Sequence, residues 1–321
     1  MTTPRVYITD YIEHPDLERE VLEHELASRP SREIEVLLVW HEQVDRTLLE
    51  RFPRLKAVIR YGVGYDNLDL AALAERGIIA CNNPDYGVDE VADTALAMIM
   101  NATRGISRYD SQCRDYTETW QEHTLPYIAR TSELRLGVVG AGRIGGSLLL
   151  KAKAIGFQTM LYDPYRPAGH EKTLRADRAE ELAALLNQAD IVSLNLPLNR
   201  ETRNLVDREF IGAMKPGAAL INTARGGLIE DLDLLYRPLR EEEIGFVGLD
   251  VLPSEPPPRQ GLLLEAWRRR EAWLDGRLLI NPHAAYFSRQ AYREMRQKAA
   301  LNALRVLQGR KPLNILTEDK P

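Results

Sequence analysis

The sequence predicts an α/β protein in which a domain with a doubly wound parallel sheet is inserted into a smaller α/β domain. Strand-like and helix-like segments alternate along the chain, and the alternation restarts after a polar stretch at 106–131. In addition, the glycine-rich stretch VVGAGRIGG (138–146), typical of the first strand and helix of a doubly wound domain, begins nearly halfway along. We therefore expect 85–291 to form the inserted domain, and 1–84 with 292–321 to form the smaller one.

The elements of the first part are read from apolar runs and their ends. We expect strands at 5–9, 33–40, 55–62 and 78–82, with helices at 15–27 and 68–77. A long apolar helix is expected at 88–105, and its pattern fits either domain.

The second part contains six predicted strands, the number in a complete doubly wound domain. They lie at 135–139, 158–162, 190–196, 218–223, 245–251 and 278–281. Helices are expected between them, for example at 178–189, and a long amphipathic helix is expected at 288–309. A further amphipathic helix is expected at 262–274, within a long segment at 257–277, where it packs on the domain edge, covers a cleft or extends a dimer surface.

Composition excludes several classes of function. The 321 residues are 44% hydrophobic and 28% charged, and the net charge of -5 is spread without a basic stripe, so nucleic acid is not an expected partner. No apolar run approaches the roughly 18 residues of a membrane helix, and no signal pattern opens the chain. Cys81 and Cys113 match no disulfide or metal spacing. We expect a soluble cytoplasmic protein without a metal or a membrane partner.

The glycine-rich stretch predicts a dinucleotide site. Gly140 allows the tight turn, Gly142 allows close approach of a diphosphate, and Gly145 allows close packing of the following helix. Asp163 follows at the end of the next predicted strand, where a carboxylate accepts hydrogen bonds from ribose hydroxyls and repels a 2′-phosphate. The alternatives are that Asp163 is only a turn residue and that Arg166 meets a phosphate. We expect NAD rather than NADP.

Three residues just past successive strand ends form the candidate catalytic set: Arg225, Glu255 and His283. Ligands of open parallel sheets bind at the carboxyl ends of the strands, so these side chains can meet in one cleft. A guanidinium binds and polarises a 2-keto acid, an imidazole exchanges the proton, and a carboxylate orients the imidazole. Singly, each residue is equally consistent with an ordinary loop position. Asp250 either faces the nicotinamide or caps a turn.

Five stretches resemble the D-isomer-specific 2-hydroxyacid dehydrogenases, and the sequence looks most like their C-terminal-binding-protein branch. They are RYGVGYDNLDL (60–70), GVVGAGRIGG (137–146), INTARGGLIE (221–230), LDVLPSEP (249–256) and NPHAAYFS (281–288). The resemblance implies a Rossmann NAD domain inserted into a flavodoxin-like substrate domain. It also implies a cofactor between the domains and a homodimer formed through the nucleotide domain, with 106–131 in the contact.

The resemblance also assigns roles to residues. Arg225 is implied to bind the substrate, His283 to be the general acid/base, and Glu255 to pair with it. Arg60 and Gly62 are implied to line the substrate pocket, although Arg60 is otherwise consistent with a surface salt bridge. Tyr286 stands where the C-terminal-binding proteins have tryptophan, and Asn195 stands where many relatives have histidine. Further candidate cofactor contacts are Arg143, Ile144, Pro197, Thr202 and Thr223.

These features predict an NAD-dependent oxidoreductase that interconverts a small 2-keto acid and its D-2-hydroxy acid by hydride transfer. One alternative is a non-enzymatic NAD(H)-sensing dimeric scaffold, since the branch it looks most like includes corepressors. Another is a dehydrogenase of the same fold that acts on phosphoglycerate, phosphite or formate. The sequence leaves the particular acid and the direction of the reaction open.

Overall fold

The computed structural model describes residues 3–114, 120, 124–125 and 128–317. The chain forms two compact units: unit 1 contains 1–87 and 286–321, and unit 2 contains 88–285. The first division comes three residues after the expected boundary and the second comes six residues before it. The return to unit 1 comes early because Tyr286 packs there against Trp40 and Tyr86, ahead of the last helix. Part of the expected dimer contact at 106–131 lies outside the described residues.

The elements are numbered in chain order. The strands are β1 (Val6–Ile8), β2 (Val36–Val39), β3 (Ala57–Arg60), β4 (Ile79–Cys81), β5 (Arg135–Val139), β6 (Gln158–Tyr162), β7 (Asp177–Arg178), β8 (Ile191–Leu194), β9 (Ala218–Asn222), β10 (Ile244–Leu249) and β11 (Leu278–Ile280). The α-helices are α1 (Asp16–Leu22), α2 (Arg46–Glu50), α3 (Leu70–Glu75), α4 (Val88–Arg104), α5 (Ile106–Cys113), α6 (Arg143–Ile155), α7 (His170–Leu174), α8 (Leu182–Leu186), α9 (Arg208–Ala213), α10 (Tyr236–Arg240), α11 (Leu262–Arg268) and α12 (Arg289–Leu307). Over the described ranges, none of these helices has the length and apolar character required to cross a membrane.

Unit 1 is built on a parallel sheet in which β1, β2, β3 and β4 are neighbours in that order. Leu26 forms a parallel bridge with Val6 on the other side of β1. With this bridge taken as a one-residue strand, the chain order across the sheet is 2-1-3-4-5, which is the flavodoxin-like order. The helix expected at 15–27 ends at Leu22 and is followed by a 3₁₀ turn, because the chain must extend again to reach this bridge.

Both faces of the unit 1 sheet are covered. Along β2, Val36 and Leu38 face the cluster that contains α12, whereas Leu37 and Val39 face the cluster of α2 and α3. This alternation follows from the two-residue period of a strand, and two apolar faces require helices on both sides. The Ser288 side chain caps α12 by accepting the Ala291 N–H at 2.9 Å.

Unit 2 is built on a seven-stranded parallel sheet in the order β11-β10-β9-β8-β5-β6-β7. Six of these strands have the doubly wound order 3-2-1-4-5-6, and β11 adds a seventh at the edge. The sequence predicts six strands because β7, with two residues, is too short to show a period. The helix expected at 178–189 begins only at Leu182, because Arg178, the first residue of the expected range, lies in β7. β5 lies between β6 and β8 at the switch point, so the loop after β5 opens at the carboxyl edge of the sheet.

Helix α4 belongs to unit 2, where it packs against α6 on one face of the sheet, with Met98 and Leu148 in a shared apolar cluster. The other face carries a second cluster that includes Leu263 and Leu264 of α11. Asp233 holds the start of α11 by accepting the N–H groups of its first two residues at 2.9 Å. The long segment at 257–277 therefore packs on unit 2, and its helix ends at Arg268, earlier than the sequence predicts.

Candidate active site

The glycine-rich loop connects β5 to α6, and two of its glycines admit no side chain. Gly140 has a φ of 93°, and a Cβ there would lie 2.5 Å from the carbonyl oxygen of Asn195. A Cβ on Gly145 would lie 2.0 Å from the carbonyl oxygen of Gly140. Gly142 precedes α6 and has no side chain to cap the helix. The first N–H groups of α6, from Arg143 onward, are therefore positioned to donate to an anion.

Asp163 follows β6 and lies beside this loop with only 8% of its surface exposed. Its carboxylate accepts the Ala141 N–H at 2.9 Å and the Tyr165 N–H at 3.0 Å. The Nε of Arg166 lies 3.5 Å from the same carboxylate. Asp163 therefore fixes the glycine-rich loop from the neighbouring strand end, with a cation at its outer side.

The residues present fit a dinucleotide. Within the part of the chain that the structure describes, the buried atoms Thr223 Oγ1 and Asn195 Oδ1 have no hydrogen-bond partner. They lie after β9 and β8 at the carboxyl edge that carries the glycine-rich loop. A buried polar atom without a partner is costly, so a polar ligand at this edge would relieve both. The hydroxyl of Thr202 donates to the carbonyl of Pro197 at 2.7 Å and fixes the turn after β8.

Glu255 and His283 form a direct pair. Glu255 follows β10 and His283 follows β11, and the two strands are neighbours in the sheet. The His283 Nδ1 lies 2.7 Å from Glu255 Oε2, and the other carboxylate oxygen accepts the Leu252 N–H at 2.8 Å. A carboxylate on Nδ1 leaves Nε2 for exchange of a proton with a ligand. The His283 side chain is 44% exposed, so the imidazole is not enclosed by the protein.

Charge around Glu255 favours its ionised form. Burial of the carboxylate raises its pKa, but the hydrogen bonds from His283 and the Leu252 N–H, with the charges of His283 and Arg225, lower the pKa further than burial raises it. The pKa of Glu255 is therefore below its ordinary value. Arg225 thus acts electrostatically on the same carboxylate that holds the imidazole.

The turn that carries Arg225 is held by two residues that the sequence does not single out. The amide of Asn222, fully buried at the end of β9, donates to the Arg225 carbonyl at 2.9 Å and accepts the Ala224 N–H at 3.0 Å. A Cβ on Gly226 would lie 1.9 Å from the carbonyl carbon of Leu252. This turn therefore packs directly on the segment leading to Glu255, and the one signal for it in the sequence is the asparagine–glycine pattern around Arg225.

Asp250 has the geometry of a turn cap. Its buried carboxylate accepts the N–H groups of Ala284 and Ala285 at 3.0 Å, and its carbonyl accepts the His283 N–H at 2.8 Å. Burial is the main reason that the pKa of Asp250 is raised. Asp250 thus fixes the turn that carries His283, which has a left-handed φ of 54°. A contact between Asp250 and the nicotinamide stays a prediction.

The candidate substrate residues of unit 1 lie near each other within that unit. The Arg60 guanidinium passes over Gly62, where a Cβ would lie 3.0 Å from Nη1, and its Nε donates to Asn67 Oδ1 at 3.2 Å. The Tyr286 ring packs edge-on against Trp40 with centroids 6.3 Å apart. Burial raises the pKa of Tyr286 to about 12. A side chain at position 62 would therefore crowd the Arg60 guanidinium, and the contact of these residues with substrate stays a prediction.

The chain matches known proteins over nearly its whole length. Residues 96–285 match the family model described as D-isomer specific 2-hydroxyacid dehydrogenase, NAD binding domain. The chain is 33% identical to a glyoxylate reductase of Korarchaeum cryptofilum over 87% of its length and 81% of that protein. It is 31% identical to a glyoxylate reductase of Thermococcus litoralis, over 90% and 85%.

Among solved structures, D-lactate dehydrogenase from Aquifex aeolicus, complexed with NAD and lactic acid, superposes with a TM-score of 0.81 at 25% identity. The match covers 95% of this chain and 96% of that one. The particular likeness to the C-terminal-binding-protein branch stays a prediction. The chain belongs to the D-isomer specific 2-hydroxyacid dehydrogenase family and is an oxidoreductase of that class.

Proposed function

We propose that this protein reduces small 2-keto acids to 2-hydroxy acids, with the D configuration where the product is chiral. Glyoxylate, whose product glycolate is achiral, is the first candidate substrate. The observation that carries the proposal is the Glu255–His283 pair at 2.7 Å, beside the charge of Arg225. An acid/base group, a carboxylate that orients it and an anion-binding cation are the groups that this chemistry requires. The glyoxylate reductases similar to this chain support the choice of substrate.

Each residue has a defined part in this reaction. The forked guanidinium of Arg225 binds the carboxylate of the keto acid and polarises its carbonyl. His283 gives a proton from Nε2 to the carbonyl oxygen as negative charge develops there, and Glu255 keeps the imidazole oriented through Nδ1. The bound nicotinamide cofactor supplies the hydride. The roles of Arg60, Gly62 and Tyr286 in binding the substrate stay predictions.

We propose NAD(H) as the cofactor, held by the glycine-rich loop. Gly140, Gly142 and Gly145 bring backbone N–H groups to the diphosphate, and Arg143 and Ile144 supply the first of them. A carboxylate at the position of Asp163 disfavours a 2′-phosphate. Arg166 works in the opposite direction, so titration with NADH and NADPH is needed to measure the preference. We expect tighter binding of NADH.

The test is NAD(P)H oxidation with glyoxylate, hydroxypyruvate and pyruvate as separate substrates. We expect turnover of glyoxylate with NADH, and a higher KM with lower kcat for Arg225→Lys, since an ammonium cannot bind the keto acid through two parallel hydrogen bonds. Protein that binds NADH yet turns over none of these acids would contradict the proposal. Association of subunits driven by NADH alone would then favour the scaffold alternative, and reduction of NAD⁺ with phosphite or formate would favour a different acid.

We also propose that the protein acts as a cytoplasmic homodimer formed through unit 2. Within the expected contact, the large apolar side chains of Ile106 and Trp120 have 59% and 65% of their surfaces exposed, and a partner subunit at this place would bury them. Light scattering on the purified protein measures the oligomer directly. A monomer at micromolar concentration would contradict the proposed dimer without affecting the proposed chemistry.

A further inference from the structure

His170 contacts the glycine-rich loop from outside it. The residue opens α7 and lies eight residues beyond β6, and its Nε2 lies 2.9 Å from the carbonyl oxygen of Ala141. Only a donor can pair with a carbonyl oxygen, so Nε2 carries the hydrogen. The N–H of the same Ala141 donates to Asp163 at 2.9 Å. Both polar groups of one residue in the middle of the loop are therefore held by the segment that follows β6.

The segment that carries His170 is itself anchored. The guanidinium of Arg178, on β7, donates to the carbonyls of Asp163 and Arg166 at 3.1 Å and to that of Pro167 at 3.3 Å. Glu171 accepts the Gly169 N–H at 3.0 Å at the start of α7. His170 therefore extends from a fixed turn, and its hydrogen bond restrains the loop rather than following its movement.

The Ala141 peptide determines where the next N–H groups point. Ala141 precedes Gly142 and the start of α6, so rotation about its backbone would turn the N–H groups of Arg143 and Ile144 away from a bound anion. Preorganised donors bind an anion without a cost of reorganisation. Asp163 holds the N–H of Ala141 but not its carbonyl, which His170 contacts instead.

We propose that His170 is a positioning residue for the cofactor diphosphate, acting through the Ala141 carbonyl; this inference rests on the dinucleotide site of the proposed function. The inference assigns His170 no contact with the substrate, and the residue is separate from the candidate catalytic residues Arg225, Glu255 and His283. Its loss weakens binding of ligands that carry a diphosphate and leaves turnover at saturating NADH unchanged.

The experiment measures dissociation constants of the full-length protein for NADH, ADP-ribose and adenosine. NADH is followed by its fluorescence, and the other two by competition with it. We compare wild type with His170→Ala, His170→Gln and Lys172→Ala. A glutamine places an N–H donor near the position of Nε2, and Lys172→Ala is a matched exposed change in the same short helix.

For His170→Ala we expect the Kd of NADH and of ADP-ribose to rise about two- to tenfold, the effect of losing one hydrogen bond. The Kd of adenosine and the kcat at saturating NADH stay at wild-type values, His170→Gln recovers most of the affinity, and Lys172→Ala changes nothing. Unchanged affinity of His170→Ala for ADP-ribose, an equal loss for adenosine, or no recovery with glutamine would each overturn the inference. Failure of wild type to reduce any 2-keto acid would instead overturn the proposed function. The dissociation constants would still test the role of His170, because they do not depend on turnover.

Discussion

The carboxylate of Glu255 joins the backbone of one loop to the side chain of His283 in the next. One oxygen accepts the Leu252 N–H at 2.8 Å and the other lies 2.7 Å from His283 Nδ1. The strands before these residues, β10 and β11, are neighbours in the same sheet. The direction of the imidazole is therefore set within unit 2, by a carboxylate whose own orientation the backbone determines.

Substitution of Gly226 should separate two parts of the site. In Gly226→Ala the new Cβ would lie 1.9 Å from the Leu252 carbonyl carbon, so the turn of Arg225 must move away from the loop of Glu255. Displacements near 1 Å at an active site cost on the order of 10²-fold in rate, and we expect a fall in kcat/KM of that order. In the matched variant Gly212→Ala, the Cβ would meet no described atom within 4 Å. Equal kcat/KM values for both variants would refute this reading.

Glu255 should make stability depend on pH in a defined direction. Its pKa in the folded protein lies below its ordinary value of 4.5, so its contribution is present above about pH 4.5 and is lost as the pH falls through the folded value. The Tm advantage of wild type over Glu255→Gln should therefore be present at pH 7 and shrink below pH 4.5. In the His283→Asn background the advantage should be smaller, because the hydrogen bond is gone. A constant difference across the pH range would contradict the prediction.

Asp250 should stabilise the turn of His283. Asp250→Ala leaves the N–H groups of Ala284 and Ala285 without this acceptor, and the loss at the buried Ala285 costs about 1–3 kcal/mol. Asp250→Asn keeps one oxygen and should lose less. Urea denaturation measures the difference in unfolding free energy. The interpretation fails if the alanine variant is as stable as the asparagine variant.

In unit 1, a buried ion pair joins α1 to α12. The Arg296 guanidinium donates to both Glu18 oxygens, at 2.8 and 2.5 Å, and the Tyr61 hydroxyl donates to Glu18 at 3.0 Å. Removal of one partner leaves a buried charge, so Glu18→Leu should lose about 3–5 kcal/mol of unfolding free energy. Combination with Arg296→Met should regain most of it. A loss below about 1 kcal/mol for the single variant, as for exposed pairs, would contradict this prediction.

The sequence predicts the strands well where an apolar run is long enough to be recognised. Parallel strands buried on both faces are continuous apolar runs, and these reveal β5, β6, β8, β9 and β10 of unit 2 and the sheet of unit 1. The sequence does not predict β7, because its two residues are too few to form a recognisable strand pattern. The end of α1 at Leu22 escapes because it depends on the bridge of Leu26 to β1, which is a tertiary contact.

The candidate site also has features that the sequence predicts and features that it does not. The positions of Arg225, Glu255 and His283 after three strands can be read from the sequence, because strand ends of a parallel sheet share one edge. The cap that Asp250 makes and the clash that excludes a side chain at Gly226 cannot be read, since each depends on a separate loop brought close by folding. His170 is the clearest case, because its partner is a backbone carbonyl 29 residues earlier.

The most direct test of the account is the kcat of NADH-dependent glyoxylate reduction by wild type and His283→Asn, with the Kd of NADH measured for both. Asparagine tolerates the left-handed backbone of this position but cannot give up a proton in its place. The account predicts that kcat falls about 10²- to 10⁴-fold while the Kd of NADH stays the same. Wild-type turnover by His283→Asn would contradict it.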